Sequence, residues 1–437
     1  MRHSNLDPPN LPCLRNCVSQ LKLGIDQSSR RYCVRRLSFD ALRIAKEIRV
    51  WPRIANILLV IASTLFCYVA LEYAIFRVFP SVVPAGLRSQ LPEVAYVLTQ
   101  NSKSAYLPHN YIALLGDSNA EGLGDWLLEA EGNTAERFHS ADIIHQLSGQ
   151  DVVNLGKGGA GSAEAIVLRP SRVFPSSRCS LFPVIEDPQQ IFVYFYEGND
   201  IEDNINFVRK VSTRFGRTDA EAIGRFLGEE YAVSSFLRCH WHLADLEIKI
   251  LQTSYQRYFD GVSVKYCGLA VSERSRIVVG GQINDVPALQ GPAPKVPDES
   301  IRLGMSVLAQ SLSWLRKRFN NLPIAVVYIP SPLTVYRYAG DEVSFCSAFV
   351  GSGSLSKAQS ERRHDMIRKL VAGISADSGM QFIDATPALR AAASSSTIHG
   401  PNDWDHLNKT GYQVLGALVA SQVRNDRSAK SRPDAER

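Results

Sequence analysis

The chain reads as an α/β protein, a three-layer sandwich around a central parallel sheet, preceded by one transmembrane helix. Three observations predict this. Between residues 110 and 424, short apolar runs alternate with amphipathic helical patterns, the order of elements that a parallel sheet with helices on both faces requires. The first run, Tyr111-Ile-Ala-Leu-Leu115, is continuously apolar and stops at Gly116, which suits a strand buried on both faces. Far upstream, Ile54 to Leu71 carries no charged side chain, and the apolar character resumes after Glu72 through Phe76.

Taken in order, the chain opens with a basic tail over 1–53. Arg30, Arg31, Arg35, Arg36, Arg43, Lys46, Arg49 and Arg53 crowd its second half, and Pro8, Pro9 and Pro12 mark its start. This tail holds much of the positive charge behind the net +5; without a basic folded face, nucleic acid is not an expected partner. Cys13 and Cys17 have the spacing of half a zinc site, but no second pair follows at ligand spacing, so no metal is expected. A helix over 54–76 would be about 35 Å long, enough to cross a hydrocarbon core of about 30 Å. The run begins too far in for a cleaved signal peptide; a buried helix of a soluble domain is the other reading of it. Positive charge before the helix places the tail in the cytoplasm and the rest of the chain on the far side. A polar linker, 77–109, leads to the folded domain.

Within 110–424 the spacing predicts strands at 111–115, 151–154, 191–196, 324–329 and, more weakly, 382–384. Helices are expected near 141–147, 162–168, 299–319, 357–376 and 408–424. Between 205 and 297 the alternation lapses. Helical patterns at 220–227 and 235–258, then a stretch rich in turn residues from Gly280-Gly281 to Pro297, read as an insertion that caps the sheet. The last residues, 425–437, are polar and expected to be disordered. With 45% hydrophobic and 21% charged residues, general disorder is excluded.

Four polar clusters sit where strands end or the last helix begins. Gly116-Asp117-Ser118 follows the first strand, with Gly122 four residues after the serine. A serine just past the end of such a strand lies where open α/β sheets bind ligands, although Gly-Asp-Ser alone also suits a turn and helix cap. Asn154-Leu-Gly-Lys-Gly-Gly-Ala-Gly-Ser162 follows the second strand, a glycine-rich turn without the Walker ending. Glu197-Gly-Asn-Asp200 follows the third, and Asp403-Trp-Asp-His406-Leu-Asn-Lys-Thr-Gly-Tyr412 precedes the last helix.

In these four blocks the chain resembles the SGNH, or GDSL-type, hydrolases. The resemblance covers about 111–423 outside the 205–297 block, and it implies a flavodoxin-like sheet and ester-bond hydrolysis. It makes Ser118 the nucleophile, His406 the general base and Asp403 the acid that orients it; Asp405 is a second carboxylate, and the spacing to His406 favours Asp403. The oxyanion hole falls to the Ser118 N–H, the Gly159 N–H and the Asn199 amide, with glycine at 159 so that no side chain crowds the acyl group. No cofactor or metal is implied.

The substrate is expected to be an acylated carbohydrate or another ester, the membrane being met through the single helix. A catalytic domain outside the cytoplasmic membrane, periplasmic in a bacterium, points to O-acetyl or acyl groups on an extracytoplasmic polysaccharide. Tyr194, Tyr196, Tyr336, Tyr338 and Trp404 are available to stack on sugar rings or to pack in the core. Cys179, Cys239, Cys267 and Cys346 allow three pairings in an oxidising compartment. Two other functions stay open: an O-acyltransferase on exported glycans, using the same triad, and a non-catalytic envelope assembly or binding protein that keeps the fold.

Overall fold

The computed structural model of the chain describes residues 52, 54–71, 74, 91, 93–129, 138–179, 185–231, 274–347 and 349–430. Two units separate, Met1–Tyr73 and Ala74–Arg437. In the first, Ile54–Leu71 is a helix of 18 residues, long and apolar enough to cross a membrane. Its large side chains, among them Leu59 and Phe66, are exposed. The tail before residue 52, most of the linker to residue 92, and residues 232–273 and 431–437 lie outside the described residues, and with them the helix expected at 235–258.

The second unit is built on a five-stranded parallel sheet. Its strands are β1 (Ile112–Leu115), β2 (Val152–Asn154), β3 (Gln190–Tyr196), β6 (Ile324–Ile329) and β10 (Gln381–Asp384), in the order β2-β1-β3-β6-β10. All five lie where the apolar runs predict them. This is the doubly wound arrangement in which the chain moves outward from β1 in one direction, then returns and moves in the other; ligands bind at the switch between β1 and β3. Five further strands make a small antiparallel sheet and a hairpin: β4 (Arg274–Val279), β5 (Gln282–Pro287) and β7 (Arg337–Tyr338), then β8 (Glu342–Ser347) with β9 (Gly351–Ser356).

The helices are α1 (Glu93–Leu98), α2 (Ser118–Glu121), α3 (Asp125–Glu129), α4 (Ser140–Ser148), α5 (Arg169–Cys179), α6 (Asp200–Phe215), α7 (Ala220–Phe226), α8 (Asp298–Arg318), α9 (Pro332–Val335), α10 (Lys357–Asp377), α11 (Thr386–Ala393) and α12 (Lys409–Lys430). Strand side chains alternate between faces, and the core divides accordingly. Ala113, Leu115, Val193, Phe195, Val326 and Tyr328 meet α1, α5, α6, α8 and α10 on one face. Ile112, Leu114, Phe192, Tyr194, Val327 and Ile329 meet α4, α11 and α12 on the other. This gives three layers.

Three local differences from the sequence reading stand out, the first two with a clear physical cause. The turn-rich stretch after Gly280 is a hairpin, because Gly280 and Gly281 both take positive φ, 59° and 79°, as a two-residue turn between twisted strands requires. Arg-Ser-Arg-Ile-Val-Val before that glycine pair and Gln-Ile-Asn-Asp-Val-Pro after it are its strands. The helix expected at 162–168 is wound as a π-helix over Ala163–Leu168 and continues as α5; Pro170 lies two residues beyond Leu168, and without an N–H it cannot close a regular α-helical bond to the turn before it. The last helix runs on to Lys430, past the expected boundary at 424.

Candidate active site

Gly116 ends β1, and Asp117 caps α2, its carboxylate accepting the Asn119 N–H at 2.9 Å. Ser118 is the first residue of that helix and is almost buried, 5% exposed. The first N–H groups of a helix have no partner within it, and among the described residues the Ser118 N–H makes no hydrogen bond. Ser118 Oγ donates to Asp117 Oδ2 at 3.2 Å. Among the described residues no hydrogen bond joins Ser118 to His406. Burial pushes the Asp117 carboxyl up, against the Asn119 N–H, the charge of His406 and the Ser118 hydroxyl, which favour the carboxylate.

The glycine-rich turn after β2 lies directly on α2. A Cβ at Gly156 would run into the backbone of Ala120 and Glu121, so only glycine permits this approach. Glu121 Oε2 accepts the Gly158 N–H, and Asn154 Oδ1 accepts the Gly156 N–H at 2.8 Å. Gly159 has φ +71°, and a Cβ there would meet nothing within 4 Å. Backbone conformation, rather than crowding in the unliganded chain, is therefore what asks for glycine at 159. Asn204 on α6 anchors the far end of the turn, accepting the Ser162 N–H at 2.9 Å and donating to Ser162 Oγ at 2.9 Å.

Asn199 caps α6 at the end of β3. Its amide donates to Asp203 Oδ2 at 3.2 Å, while its Oδ1 is buried with no partner. Asp203, one turn along the helix, has its carboxyl pushed up to about 7, first by burial and then by the charges of Asp117, Glu202 and Glu164.

His406 Nδ1 pairs with Asp403 Oδ2 at 2.6 Å. The same carboxylate, through Oδ1, accepts the Asp405 and His406 N–H groups, so backbone and side chain hold the imidazole together. Asp403 thus meets the His406 ring, and Asp405 directs its backbone carbonyl to Tyr196 OH at 2.9 Å. Burial disfavours the His406 imidazolium, but the Asp403 hydrogen bond and the charges of Asp403, Asp405 and Asp117 outweigh it and raise its pKa above the ordinary range. For Asp403, burial raises the pKa and is outweighed by His406 and two N–H donors, so the carboxyl lies below its usual range.

Sequence reasoning missed the residues that aim this loop. Asp125 accepts the Asn402 N–H at 2.8 Å and the Asp403 N–H at 3.0 Å; it lies some 280 positions away, and no local pattern marks it. The five aromatics divide. Tyr194, Tyr196 and Tyr336 are buried in the core, so they do not stack on a substrate. Tyr196 OH bridges Gln290 and Asp405; Tyr336 OH faces His399 Nδ1 at 3.1 Å. Tyr338 and Trp404 are half-buried. Cys346 is in a disulfide.

A second buried cluster adjoins the Asn199 block. Glu197 is fully buried and receives Tyr328 OH at 2.6 Å, His364 Nδ1 at 2.7 Å, and the Ser331 N–H, Ser331 Oγ and Thr334 Oγ1 at 2.8 Å each. Burial raises the Glu197 pKa, but His364 and the other donors outweigh it, and the carboxyl falls below its usual range.

No protein-family model matches the chain, and no curated protein matches it. Among solved structures it is similar to an extracellular lipase from Streptomyces rimosus, at 15% identity and a TM-score of 0.34 over 71% of this chain and 97% of that one. It is also similar to an alpha/beta hydrolase enzyme from the metagenome of Lake Arreo, at 11% identity and a TM-score of 0.32 over 73% and 96%. A third is a catalytic mutant of an acetylxylan esterase from Geobacillus stearothermophilus, at 9% identity and a TM-score of 0.32 over 72% and 95%. Likeness this distant carries no conclusion about chemistry, which rests on the side chains themselves.

Proposed function

We propose that the chain is a membrane-anchored serine ester hydrolase of the SGNH, or GDSL-type, family that removes acyl groups from an extracytoplasmic polysaccharide. The observation that carries this reading is the Asp403–His406 pair, 2.6 Å apart, on the loop before α12, together with a serine at the first turn of α2 after β1. A hydroxyl is a poor nucleophile at neutral pH and needs a base. On substrate binding the Ser118 hydroxyl turns from Asp117 toward His406 Nε2, gives up its proton there, and Oγ attacks the ester carbonyl. Hydrogen bonds of this kind tighten in the substrate complex.

The carbonyl oxygen becomes an anion, met by the Ser118 and Gly159 N–H groups and the Asn199 amide; one such donor contributes about 3 to 4 kcal/mol to lowering the barrier. Collapse of the intermediate expels the alcohol, which takes the proton from His406. Water then repeats the sequence on the acyl-serine, releasing the carboxylic acid and restoring Ser118. Asp403 keeps Nδ1 protonated, so that Nε2 is the free base, and stabilises the imidazolium between steps. The 18-residue apolar helix supports the anchor, and the Cys346 disulfide supports an oxidising compartment, where disulfides persist.

The test is release of p-nitrophenol from p-nitrophenyl acetate by the full chain in detergent. Ser118→Ala and His406→Ala should each lower kcat by a similar factor, at least about 10⁴, and the double variant should be little worse than either single one, because the groups act as a unit. Asn199→Ala should lower kcat more than it raises KM. Retention of more than about a tenth of kcat in Ser118→Ala ends the reading.

A further inference from the structure

A groove of about 390 Å³ runs from Gly159 between the π-helical turn and α6. Its α6 wall is a stripe at helical spacing, Asp203, Asn206 and Lys210, starting one turn beyond Asn199. From Asn199 to Lys210 the helix rises about 16 Å. Glu164 faces the stripe from the opposite wall. Polar and apolar atoms line the groove in about equal measure; Ala163 is 3% exposed and Phe207 5%, while Asp203, Asn206 and Glu164 are half-buried and Lys210 is exposed. Arg209 is occupied, stacked on Phe349 at 4.5 Å and donating to Asn206 Oδ1.

Resting on the ester-hydrolase reading, we infer that this groove binds the alcohol half of the substrate, and that this alcohol is a chain of sugar hydroxyls rather than a lipid. One end of the groove is Gly159, beside which the carbonyl must sit for its oxygen to reach the Gly159 N–H. Whatever part of the ester continues along α6 lies against carboxylates, an amide and an ammonium. A long acyl chain there would strip water from Glu164, Asp203 and Lys210 and return no hydrogen bond, an unfavourable exchange. Sugar hydroxyls donate to Asp203 and Glu164 and accept from Asn206 and Lys210, replacing the water they displace. A cleft of this length accommodates more than one ring, so Asn206 and Lys210 set specificity beyond the acylated unit.

The experiment uses the full chain in detergent, with partially acetylated xylotriose, cellotriose and chitotriose as glycan probes and p-nitrophenyl acetate and octanoate as small esters. The ratio of kcat/KM on the best triose to that on p-nitrophenyl acetate should fall about tenfold or more in Asn206→Ala and in Lys210→Ala, the loss of one good hydrogen bond each. Lys317→Ala, on α8, should leave both rates unchanged. A ratio held within about twofold in both groove variants overturns the assignment, as does wild-type preference for the octanoate over all three trioses. Calorimetric titration of Ser118→Ala with the same trioses reads the groove apart from the chemistry. Binding that Asn206→Ala weakens upholds the groove even if no ester is cleaved; ester cleavage that depends on Ser118, without triose binding, removes the groove and leaves the esterase.

Discussion

His406 is held by Asp403 through two contacts, the Nδ1–Oδ2 pair at 2.6 Å and its own N–H to Oδ1 at 3.2 Å, so the ring has little freedom to turn. The same carboxylates that hold it set its charge. Burial favours the neutral ring, but Asp403, Asp405 and Asp117 together raise the pKa above 6.5. The base form is required for catalysis, so kcat/KM on p-nitrophenyl acetate should rise with pH through an apparent pKa above that value. Asp405→Asn removes one negative charge while its backbone carbonyl still accepts Tyr196 OH; the acid limb should move to lower pH with its shape unchanged. An acid limb that does not move would assign the titration to some other group. The Ser118 hydroxyl, in contrast, points to Asp117, and the reactive hydrogen bond is left for the substrate complex to form.

Between elements, Glu197 is a fully buried polar tie. It collects donors from β6 through Tyr328, from the Ser331 turn and α9 through Thr334, and from α10 through His364. Because Glu197 immediately precedes Gly198 and Asn199, this cluster fixes the height at which β3 delivers the Asn199 amide. Removing one partner from a buried, hydrogen-bonded ion pair typically costs about 3 to 5 kcal/mol. Glu197→Ala should therefore lower the free energy of unfolding in urea by about that much, with kcat falling as Asn199 loses its support. His364→Ala should cost a comparable amount, and the double variant less than the sum, since the two share one interaction. Strict additivity of the two losses would show that the pair does not act as one unit.

For the whole molecule, the distribution of charge supports the proposed placement of the folded unit outside the cytoplasm. Arg30 to Arg53 lie close before the apolar helix, whereas the far flank has only Arg77 and Arg88 against Glu72 and Glu93; positive charge of this kind stays in the cytoplasm. A reporter active only outside the cytoplasm, fused after Arg437 and expressed in bacteria, should be active. Protease added to spheroplasts should digest the domain from residue 93 onward and spare the basic tail. Protection of the domain until lysis would place it inside and remove the polysaccharide reading, leaving the serine chemistry intact.

What was legible in the chain by itself is what local sequence encodes. Four of the five strands of the sheet centre on contiguous apolar runs, β10 carrying only Phe382 and Ile383 between polar residues, and α4, α8, α10 and α12 show helical periodicity, so neighbours along the chain suffice to mark most of them. The four marker blocks are also contiguous, each lying where a strand ends or a helix starts, and for that reason Ser118, Gly159, Asn199, Asp403 and His406 stood out. The glycine pair at 280–281 carried a hairpin signal of the same local kind, which composition alone obscured. Only the tertiary structure decided the rest. Asp125 beneath the Asp403 loop, Asn204 against the glycine turn, Glu197 with His364, and the burial of Tyr194, Tyr196 and Tyr336 all depend on residues far apart in sequence meeting across packed layers. A side chain's partner, and whether it faces substrate or core, is set by that packing, and no pattern along the chain records it.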